Sequence, residues 1–458
     1  MTHVHFIGIG GSGLSAIARL LLENGYTVSG SDRLMSPLAR DLAAAGVQVT
    51  IGHAPANIAG ADVVVRSSAV PDDNPEVIAA RAAGIAVLKR AEFLGQYIAD
   101  KRGVVVAGTH GKTTTTAMIA WMLRQLGQDP SYIIGGVSKD LGGNAHAGRG
   151  EAFVIEADEY DRMFLGLHPE IAVVTNLEHD HPDCYPTPAD YHAAFAAFVQ
   201  GMKPGGLLLA CADDLGAASL LVEPLACCRS LSYGLSSTAH YRAVNLARNE
   251  RGGLQFNALR EEAPLVAVSL RVPGEHNVRN ALAALAVADA FGLPLADAAA
   301  ALGEFTGTGR RFDLQGEAWG VDVIDDYAHH PTEIRATLAA ARSRYPGRRI
   351  WAVWQPHTYS RTQTLLADFT SAFGNADRVI VTEIYAAREQ NPGFSAAVVA
   401  AQIQPTPAHF SPTLEEAGNY LLSNLQPGDV LLVLSAGDAD QISARVLVEL
   451  KHREQGHA

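Results

Sequence analysis

Cysteine is scarce and irregular in this chain: four residues, Cys184, Cys211, Cys227 and Cys228, with no CxxC pair. Such usage supplies neither a disulfide framework nor a zinc knuckle, and it points to a reducing cytoplasmic setting. Positive charge is also in short supply. Against 48 Asp and Glu there are 35 Lys and Arg, a formal charge of -13, and a surface of that sign repels nucleic acid. No run of 18 apolar residues occurs. The alanine-rich stretch from Ala281 to Leu302 is broken by Asp289 and Asp297, so it reads as helix in water and not as a membrane span. No basic stretch followed by an apolar run opens the chain, and glycines begin at Gly8, which leaves no room for a signal peptide.

What is present is long and well mixed. At 458 residues the chain exceeds one ordinary core, and about three domains are expected. Short apolar strands alternate with helix-period stretches throughout, the pattern of parallel α/β sheets. Strands are expected at His3–Ile7, Thr27–Gly30, Val47–Thr50, Val63–Arg66, Gly103–Ala107, Ala152–Ile155, Arg349–Trp354, Arg378–Thr382 and Val430–Leu434, with a helix over Leu14–Glu23. A less regular insert, read as antiparallel, runs from Cys228 to Val272. The expected α/β domains cover residues 1–100, 101–310 and 311–458.

Two glycine loops carry the chemistry. Gly8, Gly10, Gly11, Ser12 and Gly13 form a G-x-G-x-x-G pattern between a strand and a helix, where backbone N–H groups can approach a diphosphate at the positive helix end. Asp32, at the end of the next strand, stands where a ribose-binding carboxylate belongs. Alone, this loop fits an NAD-dependent oxidoreductase, and a glycine turn without a ligand is the plain alternative. The second loop is Gly108, Thr109, His110, Gly111, Lys112, Thr113 and Thr114. A lysine at a helix start matches a nucleotide's terminal phosphates, and the hydroxyl after it can bind Mg²⁺. Val106 replaces the first glycine of the common pattern, so this is a variant phosphate loop.

Carboxylates follow. Glu156 ends a strand in the phosphate-loop segment, where a cation needs oxygen ligands, although polar residues also cap sheets without any ligand. In TNLEHDH, His179 and His181 are equally suited to a metal on the residues alone. Zinc is disfavoured, because neither HExxH nor paired cysteines accompany them. The last segment concentrates GRRFD, DDYAHHPTE and QPHTYSRT. Pro331 and Glu333 are ordinary helix-start residues, whereas Arg361 beyond a strand end can clamp a carboxylate or a phosphoryl group.

In order along the chain, GIGGSGLSAIA, SDR, GTHGKTTTT, EADEYD, TNLEHDHPD, GEHNVRNALAA, GRRFD, DDYAHHPTE, QPHTYSRT and LSAGD resemble the motifs of the Mur ligase family over its full length. The resemblance implies a Rossmann-like domain for a UDP-sugar, a central ATPase domain and a Rossmann-like C-terminal domain that closes over them. It implies a ligation through an acyl phosphate, with ATP and two Mg²⁺, in the branch whose substrates are UDP-N-acetylmuramate and L-alanine. The lack of any lysine between Lys139 and Lys203 fits that branch, since several relatives place a carbamylated lysine there. The nearest rival adds a preformed tripeptide to the same sugar nucleotide. By resemblance, Gly8, Gly10, Gly11, Ser12, Gly13, Asp32 and Ser67 bind the UDP-sugar. ATP falls to Gly108, Thr109, His110, Gly111, Lys112, Thr113, Thr114, Asn277, Arg310 and Asp325. Thr113, Glu156 and His181 hold metal. Tyr327, His329 and Arg361 surround the amino acid, and Lys112, His329 and Arg361 act in catalysis.

Overall fold

Buried β-branched runs ended by glycine turns build three sheets. The computed structural model describes residues 2–182, 184–222 and 228–456, so Cys227 lies outside the described residues. The chain divides into two compact units: Met1–Val244 with Ala258–Val266 and Arg279–Leu302, and Asn245–Asn257 with Ala267–Val278 and Gly303–Ala458.

In the first unit, a five-stranded parallel sheet has the order Gln48–Ile51, Thr27–Asp32, His3–Ile7, Val63–Arg66, Ala86–Lys89. The chain winds to one side of His3–Ile7 and then to the other, so the loop leaving that strand is the switch point where doubly wound sheets take ligands. The following helix, Ser12–Glu23, buries Leu14, Ile17 and Leu21, the helical spacing of a core face. It starts two residues earlier than the apolar period suggested, which puts Ser12 and Gly13 in its first turn.

The second sheet has ten strands. Its order is Ala263–Ser269, Leu254–Arg260, Tyr241–Arg248, Arg229–Gly234, Leu207–Cys211, Ile171–Val174, Arg102–Ala107, Ala152–Glu156, Ser131–Ser138, Gly143–His146. Arg102–Ala107 lies between two parallel neighbours, with Val106 opposite Glu156 and Ala107 opposite Val174. This is a second switch point, and the phosphate loop leaves from it. The insert departs from its expected antiparallel pairing at its first step: Arg229–Gly234 and Tyr241–Arg248 run parallel. Asp213 accepts hydrogen bonds from the Leu235 and Ser236 amides between them, which carries the chain off the sheet before it re-enters in the same direction.

The second unit carries a six-stranded sheet, Asp313–Ala318, Val321–Asp326, Val430–Ser435, Ile350–Gln355, Arg378–Thr382, Ala408–Ser411, parallel except for its first strand. Its central strands are buried on both faces. Leu432 and Leu434 pack into one core with Trp354 and Phe369, while Leu431 and Val433 pack into another with Trp351 and Ile442. The strand ends at Asp326, Gln355 and Ser435 emerge on one edge, and the polar loops follow them. Among the described residues, no helix is long and apolar enough to cross a membrane.

Candidate active site

The first loop is shaped by close approach. Gly8 adopts φ 89°, and a Cβ there would lie 3.2 Å from Cβ of Ser67, so Ser67 is pressed against the loop. Asp32 accepts the Gly10 amide at 2.8 Å and the Arg33 amide at 2.7 Å, and Ser36 Oγ donates to the Gly10 carbonyl at 2.9 Å. The carboxylate expected to meet a ribose thus holds the turn in shape. Gly11 and Ser12 are exposed. A Cβ on Gly13 would fall 1.8 Å from an Arg90 nitrogen. Arg90, which the sequence analysis did not single out, reaches from the helix Arg90–Tyr97 to Asp158 at 2.5 Å and so puts a cation beside the glycine loop.

The phosphate loop is fastened from the neighbouring strand end. Asn176 accepts the His110 amide at 2.8 Å through Oδ1 and donates to the His110 carbonyl at 3.0 Å through Nδ2, while its own carbonyl accepts the Thr109 amide at 3.1 Å. Gly108 and Gly111 take φ of 135° and 80°, values that leave the turn to glycine. Helix Lys112–Gln125 starts directly after Gly111. Lys112 Nζ donates to the carbonyls of Gly108 at 2.6 Å and Thr109 at 3.1 Å, and pairs with Glu159 at 2.9 Å. Burial opposes charge on both partners. Their mutual attraction outweighs it, holding the Lys112 ammonium above its ordinary range and the Glu159 carboxyl below.

Thr113 Oγ1 donates to Glu156 at 3.0 Å, and Glu156 also accepts the Gly135 amide at 2.6 Å. His181 Nε2 stands 3.5 Å from Glu159, its ring edge-on to Tyr160. His179 instead turns Nε2 to the Tyr185 carbonyl at 2.8 Å, a contact that puts a proton on that nitrogen. Glu159 therefore links Lys112 to His181. Within EADEYD, the sequence pattern alone singles out Glu156 as a metal candidate and not Glu159. Thr114 is buried in the first turn of the same helix.

In the second unit, Arg310 donates to the carbonyls of Ser435 at 2.8 Å and Gly437 at 3.1 Å. The Arg310 and Arg311 guanidiniums stand 5.1 and 4.9 Å from the centre of the Tyr327 ring. His329 Nδ1 faces the Tyr327 carbonyl at 2.9 Å, and Arg361 donates to the His357 carbonyl at 2.9 Å and contacts its Nδ1 at 3.2 Å. The rings of Tyr327, His329, His357 and Tyr385 form a chain of contacts with centroids 5.4 to 5.8 Å apart. Asp325 is buried against Ser443, and burial lifts its carboxyl to about 6. Asn277 is buried at the start of helix Glu275–Ala290, donating to the Pro273 carbonyl at 2.7 Å.

Three family models match this chain: "Mur ligase family, catalytic domain" over 3–102, "Mur ligase middle domain" over 106–288 and "Mur ligase, glutamate ligase domain" over 310–437. A relative from Frankia casuarinae, a UDP-N-acetylmuramate–L-alanine ligase, is 44% identical, covering 98% of this chain and 97% of its own. The chain belongs to the Mur ligase family. A like-named relative from Rubrobacter xylanophilus is 46% identical over 98% of this chain and 100% of its own. Among solved structures, the UDP-N-acetylmuramate-alanine ligase of Thermotoga maritima matches all of both chains with TM-score 0.82 and 30% identity. The murein peptide ligase of Psychrobacter arcticus matches 98% of this chain and 99% of its own with TM-score 0.71 and 26% identity.

Membership makes this an ATP-dependent ligase fold, and the residues present fit a magnesium ion. A hydroxyl and a carboxylate, Thr113 and Glu156, meet beside the phosphate loop, the hard oxygen set that Mg²⁺ takes. Glu159 Oε2 is buried with no hydrogen-bond partner among the described residues, and Glu159 pairs with Lys112 of the same loop.

Proposed function

We propose that this chain joins L-alanine to the carboxylate of UDP-N-acetylmuramate, at the expense of ATP, through an acyl phosphate in cell-wall precursor synthesis. The observation that carries the reading is the pair of phosphate-type loops, each at a sheet switch point, in a chain alike over its whole length to relatives bearing that name.

In this reading the loop of Gly8, Gly10, Gly11, Ser12 and Gly13 receives the UDP diphosphate on its amides, with Ser67 and Asp32 beside it and Arg90 as a nearby cation. Gly108 to Thr114 wrap the phosphates of ATP, and Asn277, Arg310 and Asp325 contact the nucleotide. Tyr327, His329 and Arg361 receive the amino acid. The domains follow the limits 1–100, 101–310 and 311–458, and the enzyme works in the cytoplasm.

The chemistry follows from charge. Two anions, a carboxylate and a γ-phosphate, must meet, so Lys112 leaves Glu159 for the phosphate it matches. Thr113, Glu156 and His181 would hold Mg²⁺, which when bound neutralises the phosphate oxygens. His181 is favoured over His179 because the latter's ring donates to Tyr185. Arg361 carries the positive charge that meets the amino acid's carboxylate.

The test is phosphate release from Mg²⁺-ATP with UDP-N-acetylmuramate, with and without L-alanine. Release that needs both, with a product of the ligated mass, supports the reading. Release only with a tripeptide moves the chain to the recycling branch, and no release with either overturns the proposal.

A further inference from the structure

We infer that Glu76 is a positioning residue for the first glycine loop. From outside the loop it fixes the Ser31 carbonyl on which the loop hangs, and so sets how tightly a nucleotide diphosphate is taken; this rests on the ligase reading above. The Ser31 carbonyl accepts two loop amides, Gly8 at 2.8 Å and Ile9 at 3.1 Å. Asp32, the next residue, takes the Gly10 amide, and the Gly8 carbonyl takes the Gly11 amide at 3.2 Å. The end of strand Thr27–Asp32 therefore sets the curvature of the loop. That curvature aims the amides of Ser12 and Gly13, which open the helix Ser12–Glu23 and have no partner within it.

Ser31 is itself held from behind. It is fully buried, and its Oγ donates to Glu76 Oε2 at 2.6 Å. A hydroxyl has one proton, so His53 Nδ1, 3.0 Å from the same oxygen, is a donor. Glu76 Oε1 accepts the Ala54 amide at 3.2 Å and Asn57 Nδ2 at 2.5 Å. Asn74 caps helix Pro75–Ala82 through the Glu76 amide, which puts the carboxylate at the positive end of that helix. One buried carboxylate thus ties the loop's strand to residues 53–57 and to a second helix.

Its charge is balanced by a proton that can be counted. His3 faces the Gly60 carbonyl through Nδ1 at 2.8 Å and Ser29 Oγ through Nε2 at 2.7 Å. His5 faces the same Ser29 Oγ through Nδ1 at 2.8 Å and Glu76 Oε2 through Nε2 at 3.4 Å. This chain of four contacts ends on an acceptor at each side. Ser29 supplies one of the four protons, so the two rings supply three, and one ring is an imidazolium. It is the counter-charge to Glu76.

Glu76→Gln keeps the shape but turns one acceptor into a donor, so either Ser31 or the Ala54 and Asn57 side loses its partner. The KM for UDP-N-acetylmuramate should rise about tenfold or more, with kcat at saturating sugar and the KM for ATP within about twofold of the parent. Ser31→Ala keeps both the carbonyl and the carboxylate and cuts only the tether between them. It should raise the same constant about threefold or more, and it decides the matter if Glu76→Gln does not fold. A carboxylate serving stability alone would lower the amount of active enzyme and leave every KM in place. An unmoved KM for the sugar nucleotide in the folded variants, or an equal rise in the KM for ATP, would overturn the inference. If the parent does not ligate, the ligase reading has failed first, and calorimetric binding of UDP decides. Weaker binding by the variants then upholds the inference, and equal binding, or none by the parent, overturns it.

Discussion

Lys112 and Glu159 face each other at 2.9 Å with 14% and 4% of their side chains exposed. Removing one partner of such a buried pair leaves an uncompensated charge, so Glu159→Ala should destabilise the protein by roughly 3–5 kcal/mol. Urea unfolding reads the change. Part of it should return in the double variant Glu159→Ala with Lys112→Met, where no charge is left unpaired, and an unchanged single-variant transition would show that the pair carries nothing.

Gly13 has no room for a side chain, because Arg90 fills the space a Cβ would need. Gly13→Ala should displace Arg90 and raise the KM for UDP-N-acetylmuramate about tenfold or more, a cost of ~1.4 kcal/mol. The KM for ATP should hold, since Gly108 to Thr114 leave a different sheet. Steady-state kinetics with each substrate varied separates the two.

Arg361 donates to both the carbonyl and the ring of His357, which aims its guanidinium. Lysine keeps the charge and loses the planar fork. With charged hydrogen bonds worth ~1.5–3 kcal/mol, Arg361→Lys should raise the KM for L-alanine by about 10–150-fold. An unchanged KM for L-alanine with a lowered kcat would place Arg361 on the transferring phosphoryl group instead.

Glu76 is fully buried in the first sheet's domain. Burial alone would raise its carboxyl, but hydrogen bonds from His5, Ser31 and Asn57 outweigh that and hold it at about 2. A carboxyl lowered on folding adds stability that is complete above its ordinary pKa and is lost as pH falls toward the folded value. Melting temperature should therefore drop between about pH 4.5 and pH 2. Glu76→Gln should start lower and lose less over that interval. Parallel curves for the two proteins would contradict the assignment.

Much of this was legible in the residues alone. The strands His3–Ile7, Val63–Arg66 and Arg378–Thr382 fall where the sequence put them, because buried β-branched runs bounded by polar turns leave little choice. The sequence put Glu156 at a strand end, and in the structure that strand pairs with the phosphate-loop strand. Glu159 was not singled out, since EADEYD offers several carboxylates and only the turn at Asp161 and Arg162, both at φ 55°, accompanies the one that reaches Lys112. Arg90 escaped for a different reason: its partner Gly13 is remote in sequence, and no periodicity links an arginine to the absence of a side chain. The parallel step at Tyr241 was hidden because alternation along a strand says which face is buried and nothing about direction.

Asn176 grips His110 by both its amide and its carbonyl, so the curvature of the phosphate loop is written into protein–protein hydrogen bonds. The entropy of ordering that loop is settled when the chain folds, and a nucleotide meets a rigid mould. The Asn176 amide carries no net charge, so salt leaves that grip on His110 untouched.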